Sequence, residues 1–402
     1  MQQVGSVEDR VTFSGARWQF AALLLPGYAL MVPTLGLNRF WLTTAKRRFL
    51  WGNTIIGGDA LEYTGEARQL LLGFLMALAV FIPVYGLFFY LSTQTGATVV
   101  IGYGAVAVLV WFLHGYALYR ARDFRLSRTL WRGIRFDQAG NAWAYALRRF
   151  LWSVLNVVTL GLAYPFMAAN LWSYRYRHTW YGDRSFGFTG SWKQLALPYY
   201  PVWLVMGIVI IAAAVVANEY ELYERPLEAD PAAFMWLAIH GLFGTILVTL
   251  YRCIEMTRLF SAVTLGGARL RLSVSPFHLF GQFLAFGLAL FCLYLLLALG
   301  GVLVLGLVAG EAFAGGGFDL NILMGSMQSS LLALLAIIAG YLLLFGAFAL
   351  VNEVVLGFGF WTLLARGATL VGLETLDNVH ARDEDRALAG EGLADALNVG
   401  GY

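Results

Sequence analysis

Five stretches of this chain carry no Asp, Glu, Lys or Arg: residues 69–119, 150–174, 194–217, 272–310 and 321–352. An apolar run of about 20 residues is long enough to cross the hydrocarbon of a bilayer as a helix. The pattern therefore predicts six full spans, at about 69–91, 97–119, 195–217, 231–251, 278–309 and 329–352. Two further apolar segments, 18–45 and 150–174, are interrupted by the phrase TLGL, at 34–37 and 159–162. Each of these either turns back as a re-entrant hairpin or crosses once. Polar passages separate the apolar ones, at 46–67, 120–149, 175–193 and 252–276. In three of them β-branched or aromatic runs flank a glycine pair or Gly-Asp: NTII-GG-DALEY, HTWY-GD-RSFGF and AVTL-GG-ARLRLSV. That is the pattern of a tight hairpin with positive φ at its turn. Isolated hairpins are marginal in water, so these are expected to pair with one another or with Val11-Thr12-Phe13, as a small β layer beside the membrane. Irregular interfacial loops are the alternative.

The polar passages repeat. An aromatic–hydroxyl–glycine triplet occurs as Phe13-Ser14-Gly15, Tyr63-Thr64-Gly65 and Phe188-Thr189-Gly190, followed in turn by Gln19, Gln69 and Gln194. An Arg-x-x-Trp step occurs at Arg48 and Trp51, at Arg128 and Trp131, and at Arg177 and Trp180. Such recurrence reads as internal duplication: a first repeat unit at 1–149, a second at 150–276, C-terminal spans with an interfacial stretch at 277–379, and a polar cytoplasmic tail at 380–402. The predicted fold class is an all-α polytopic membrane protein. It has about six full transmembrane helices, re-entrant or broken apolar segments, and short β-hairpins in cytoplasmic basic loops.

Composition strengthens the membrane reading. Of 402 residues 59% are apolar and 13% charged, against about 25% charged in soluble domains. The opening residues lack the pattern of a removable signal peptide. Arg and Lys fill the four polar passages, whereas the loops at 218–230 and 310–328 are acidic. Basic loops stay cytoplasmic. With re-entrant broken segments, both termini and all four passages face inside; with single crossings, the two units become inverted repeats. Cys253 and Cys292 have no CxxC or Cys/His spacing and read as packing residues.

The passage TLGLNRFW…AKRRFLWGNTIIGGDALEYTGEARQLLLG resembles the signature of the YjgN family of bacterial inner-membrane proteins, through Thr34, Leu35, Gly36, Phe40, Trp41, Arg47, Arg48, Trp51, Asn53, Thr54, Gly58, Tyr63 and Gly65. The second copy, Thr159 to Gly190, departs from it in detail. The resemblance implies a multi-pass protein of the bacterial inner membrane and carries no catalytic residue with it.

Candidate chemistry is sparse. Glu353, after Asn352 in an otherwise apolar stretch, is the sharpest position, because an ionisable group inside a membrane is costly and often functional. His114 and His240 occur as His-Gly in the third and sixth apolar segments and could face each other across a pseudo-symmetric interface. Glu353, Asn352, His114 and His240 form a candidate polar pathway; a structural partner for Glu353 and simple helix packing at the glycines are the plainer readings. Arg48, Trp51, Arg128, Trp131, Arg177 and Trp180 are candidate holders of anionic lipid headgroups. The run YRARDFRLSRTLWRGIRF lies between spans, which favours lipid over nucleic acid. No catalytic motif, cofactor or metal site is expected. The expected function is a transporter or channel-like protein. The alternative is a non-catalytic lipid-binding or scaffold protein, with membrane lipids as partners and either a homo-oligomer or another membrane protein beside them.

Overall fold

A computed structural model describes residues 8–222, 230–308 and 331–382. The centre of the acidic loop 218–230, the 310–328 loop and the tail beyond 382 lie outside the described residues. Eleven helices run α1 Arg17–Ala29, α2 Arg39–Gly52, α3 Ala67–Ser92, α4 Ala97–Leu126, α5 Ala142–Val158, α6 Tyr164–Arg177, α7 Trp192–Glu219, α8 Pro231–Ser261, α9 Pro276–Val308, α10 Leu331–Val351 and α11 Phe358–Gly367, among the described residues. A π-helical segment, Asn352–Gly357, joins the last two. Among the described residues six stretches are long and apolar enough to cross a membrane: α3, α4, α7, α8, α9 from Pro276 to Val302, and Ile338–Gly367.

The strands correct the all-α expectation. Ten of them are β1 Glu8–Arg10, β2 Thr12–Phe13, β3 Thr54–Ile56, β4 Asp59–Tyr63, β5 Thr129–Trp131, β6 Ile134–Gln138, β7 Thr179–Tyr181, β8 Arg184–Phe188, β9 Val263–Leu265 and β10 Ala268–Leu272. With β11 Ala368–Val371 they form one antiparallel sheet of order β1-β11-β10-β9-β8-β7-β6-β5-β4-β3-β2. The reason lies in the lengths. Each hairpin has a first strand of three residues and a second of five. Ala60 pairs within its own hairpin, opposite Ile55, but Leu61, Glu62 and Tyr63 find their partners in Trp131, Leu130 and Thr129 of the next one. Phe136–Gln138 pair likewise with Tyr181–Thr179, and Phe186–Phe188 with Leu265–Val263. Backbone groups left over by one hairpin are satisfied by the next. The two ends of the order, β1 and β2, are consecutive pieces of one stretch, and Val11 between them donates its N–H to Ala368 O (3.1 Å). The sheet thus returns on itself.

The hairpin β5–β6, TLW-RG-IRFDQ, lies in the run that the sequence reading assigned to headgroups. Its turn uses Arg132 at φ 51° and Gly133 at φ 73°. The recurring element is shorter than the 1–149 unit: helix, hairpin, helix occurs four times, and the chain ends, β11 with residues 8–13, supply a fifth strand pair.

The triplets follow from this register. Ser14, Thr64 and Thr189 donate their N–H to Asn53 O, Arg128 O and Ala262 O at 2.9–3.0 Å. In the second and third triplets the aromatic two residues earlier folds back over the glycine: a Cβ on Gly65 would lie 2.4 Å from the Tyr63 hydroxyl, and one on Gly190 2.5 Å from Phe188 Cζ. The TLGL turns also match atom for atom. Thr34 donates to Leu30 O and accepts from Asn38 N. Thr159 does the same with Leu155 O and Ala163 N.

The chain divides into two units. The first comprises Met1–Ser14, Arg47–Leu279 and Leu363–Tyr402; it holds the sheet and α3–α8. Its interior is built from Trp131, Tyr181, Leu265 and Ala268 together with Leu373, Leu376 and Val379 from the segment after β11. That segment crosses all four hairpin turns. Leu373 lies against Gly57 and Thr375 against Gly267. Asp377 pairs with Arg132 (2.9 Å), which also holds Asp59 (2.7 Å). Asp183 exchanges hydrogen bonds with the backbone of His380. Burial pushes the Tyr181 phenol up to about 12, and its hydroxyl donates to Trp131 O (2.9 Å). The second unit, Gly15–Lys46 and Phe280–Thr362, packs Phe20 against Phe358, centroids 5.4 Å apart. In it Asn38 donates to Gly27 O (2.8 Å) and Gln282 to Gly359 O (2.8 Å).

One hydrogen-bonded sheet cannot lie on both sides of a bilayer, so the four hairpins share a side. Asp59→Cys and Ser185→Cys, in a background lacking Cys253 and Cys292, are expected to react alike with an impermeant thiol reagent. Labelling of one in intact cells with a permeabilised outer membrane, and of the other only after lysis, would contradict the single sheet.

Candidate anion-binding site

Four helices of the first unit place a stripe of matching spacing around one cavity of about 240 Å³. From α4 come Leu118, Arg122 and Arg125; from α5, Tyr145 and Arg149; from α6, Tyr164, Leu171 and Arg175; from α8, Arg252, Glu255 and Leu259. Residues three, four and seven apart share one helix face, so each helix turns a single face to the cavity. Arg122 and Arg125, Arg175, and Arg252 with Glu255 all lie in the last three turns before a strand.

Five guanidinium groups thus meet one carboxylate. Glu255, buried, accepts from Tyr164 Oη (2.6 Å) and Arg252 Nη1 (2.8 Å), so Arg252 is spoken for. Three others lie against neutral groups. Arg122 donates to Gln138 Oε1 (2.5 Å) and Thr179 Oγ1 (2.8 Å) and lies over Tyr176. Arg149 meets His114 Nε2 at 3.4 Å. Arg175 sits 5.1 Å over the Trp172 ring, and its Nε is buried with no hydrogen-bond partner. Leaving a buried charged donor unsatisfied is unfavourable, and gathering like charges in a poorly solvated space adds repulsion. An anion relieves both.

A second cavity, about 710 Å³, runs along α3 and α4. Phe81, Val84, Tyr85 and Phe88 face Tyr103, Val110 and Trp111 across it, and His114 and Arg149 line it too. Arg149 is therefore common to the polar and the apolar cavity. Gly115 permits this: a Cβ there would lie 3.0 Å from Ala146 Cα and 3.3 Å from Arg149 Cδ, so α4 and α5 approach closely where the arginine stem passes.

The family described as a bacterial protein of unknown function (DUF898) matches residues 8–396. The chain belongs to this family. It is the one to which the YjgN-like passage pointed. No curated protein and no solved structure matches the chain. The DUF898 match spans both units and every strand.

The residues singled out from sequence fall elsewhere. Arg48 and Trp51 share α2, but Trp131 and Trp180 are strand residues, so the three Arg-x-x-Trp steps differ in conformation. Arg48 donates to Gly65 O (3.1 Å) and Trp51 Nε1 to Thr129 Oγ1 (3.0 Å). Arg128, 4% exposed, holds Gln69 and Ser127. Trp131 Nε1 donates to Ile56 O (3.2 Å). Arg177 ends α6, and Trp180 lies beneath Arg382 at 4.6 Å. His240 bonds the backbone of its own helix at Trp236 O (2.8 Å), whereas His114 meets Arg149. Glu353, in the π-helical segment beside Asn352, pairs with Lys46 Nζ at 2.5 Å; its Oε2 is buried without a hydrogen bond. Of the ten sequence candidates, only His114 lines either cavity. Arg122, Arg125, Arg149, Arg175 and Arg252 were visible as positive charge, but the signal that joins them is their spacing on four separate helices.

Proposed function

We propose that this protein is a non-catalytic, multi-pass protein of the bacterial inner membrane that binds an anionic amphiphile, with its sheet and termini on the cytoplasmic side. The headgroup sits in the arginine-lined cavity and the chain lies in the α3–α4 cavity. The observation that carries this reading is Arg149, which lines both. The polar cavity lies toward the sheet ends of the helices and the apolar one extends away from the sheet, which is the orientation of a lipid. At about 240 Å³ the polar cavity is below the roughly 300–1,000 Å³ of a drug-sized site, a size suited to a headgroup.

Native mass spectrometry of the protein extracted from its own membrane tests this. Arg149→Gln with Arg175→Gln leaves Arg122 to hold β6 and β7. Each lost charge-assisted hydrogen bond is worth about 1.5–3 kcal/mol, so co-purified anionic lipid is expected to fall by about tenfold or more. Equal retention by the wild type and a folded double variant rules the reading out. A transport role is the second reading. It is favoured by Glu353 in the second unit, whose unpartnered oxygen stands in a π-helical turn, a geometry frequent at functional sites.

A further inference from the structure

The charge balance of the arginine cavity restricts its ligand further. Arg252 is neutralised by Glu255 at 2.8 Å, and that pair is completed by the Tyr164 hydroxyl. Arg122, Arg149 and Arg175 instead meet amide, hydroxyl, imidazole or ring groups, and Asp123, the carboxylate that acts on Arg122 through space, is itself paired with Arg120 at 2.8 Å. Arg122, Arg149 and Arg175 come from three different helices, α4, α5 and α6, and so approach the cavity from three sides. A singly charged phosphodiester has two non-bridging oxygens and would leave most of this positive charge unanswered. A terminal phosphate offers three acceptor oxygens and carries about −1.5 to −2 charge at pH 7. Guanidinium forks match such oxygens bidentately.

Taking the cavity as a headgroup site, we infer that its ligand is a lipid bearing a terminal phosphate, a phosphomonoester or diphosphate, in preference to a phosphodiester. Three guanidinium groups then face three oxygens. The chain leaves past Arg149 into the apolar cavity, so the phosphate is bound end-on, with nothing required on its far side.

The test uses the full-length protein in nanodiscs of phosphatidylcholine doped with either phosphatidic acid or phosphatidylglycerol, read by native mass spectrometry. Phosphatidic acid is expected to be retained at least about tenfold better, from one additional charge-assisted contact. Arg149→Gln/Arg175→Gln is expected to abolish that preference. Equal retention of the two lipids, both lost in the variant, overturns the terminal-phosphate inference and leaves the lipid-binding reading standing. Retention of both lipids regardless of the variant overturns both. A third arm adds inorganic phosphate to undoped nanodiscs. Arginine-dependent thermal stabilisation there, with no preference among lipids, assigns the cavity to a soluble phosphate compound and overturns a lipid as its source.

Discussion

Replacing Leu373 and Leu376 together by alanine is expected to lower the thermal midpoint of the purified protein more than any exposed substitution on the sheet. Both side chains are buried in the core formed with Trp131, Tyr181, Leu265 and Ala268. A buried Leu→Ala change costs about 2–5 kcal/mol through lost transfer energy and the cavity left behind. Two such changes approach the total stability of an ordinary domain, about 5–15 kcal/mol. The rest of the segment cannot make up the loss. Arg132, 29% exposed, holds Asp59 and Asp377, and exposed ion pairs are worth about 0–1 kcal/mol each. Arg132→Gln is therefore the matched control, with a small expected shift. A midpoint for Leu373→Ala/Leu376→Ala no lower than that of the control would show that the segment rests on the turns without closing them.

The turn contacts explain why the sheet was hard to read from sequence. Three hairpins announce themselves by Gly-Gly or Gly-Asp between β-branched and aromatic runs. The fourth turns at Arg132-Gly133, where a non-glycine residue takes positive φ, and its flanks are crowded with arginines that read as a membrane-facing basic run. Hairpin turns are local and leave a local signal. Pairing between hairpins is not local: Tyr63 meets Thr129 and Leu272 meets Ala368, and only the excess length of each second strand hints at it. Closure by residues 8–13 and 368–371 joins the two ends of the described chain, and no window of sequence contains both. The triplets were legible as repeats, but the contact at Tyr63-Thr64-Gly65 and Phe188-Thr189-Gly190, an aromatic ring lying on its own glycine, is a three-dimensional one.

The arginine cavity was hidden for a related reason. Arg122, Arg149, Arg175 and Arg252, each taken alone, are positive charges flanking apolar stretches. On α8 the order Arg252, Glu255, Leu259 is one face, and on α6 so is Tyr164, Leu171, Arg175; a charge in an apolar stripe at helical spacing is a different signal from a charge in a loop. Grouping by Arg-x-x-Trp selected instead residues of unlike conformation, in α2, before β5 and at the end of α6. Glu353, by contrast, stood out because nothing near it in sequence is charged, and its partner Lys46 is 307 residues away.

That distant pair carries the last expected result. Glu353 and Lys46 have side chains 16% and 11% exposed. Removing one member of a buried pair costs about 3–5 kcal/mol, because the other charge is left uncompensated. The two single variants should not be equivalent. Lys46 has a further interaction besides Glu353, whereas Glu353 already has one buried oxygen without a hydrogen bond. Lys46→Met is therefore expected to be the more destabilising change, and Glu353→Gln, which keeps the shape and removes the charge, the milder one. The double variant Lys46→Met/Glu353→Gln removes both charges and should recover much of the loss, a positive coupling in the double-mutant cycle. Thermal midpoints of the four proteins in one detergent give the cycle. If the Lys46→Met loss persists unchanged in the double variant, the ammonium acts through its other interaction and the pair is not an energetic unit. If the double variant is as stable as wild type, the two charges are dispensable for folding. Their presence in an apolar stretch then needs another reason, and movement of a proton or cation past Glu353 becomes the reading to test.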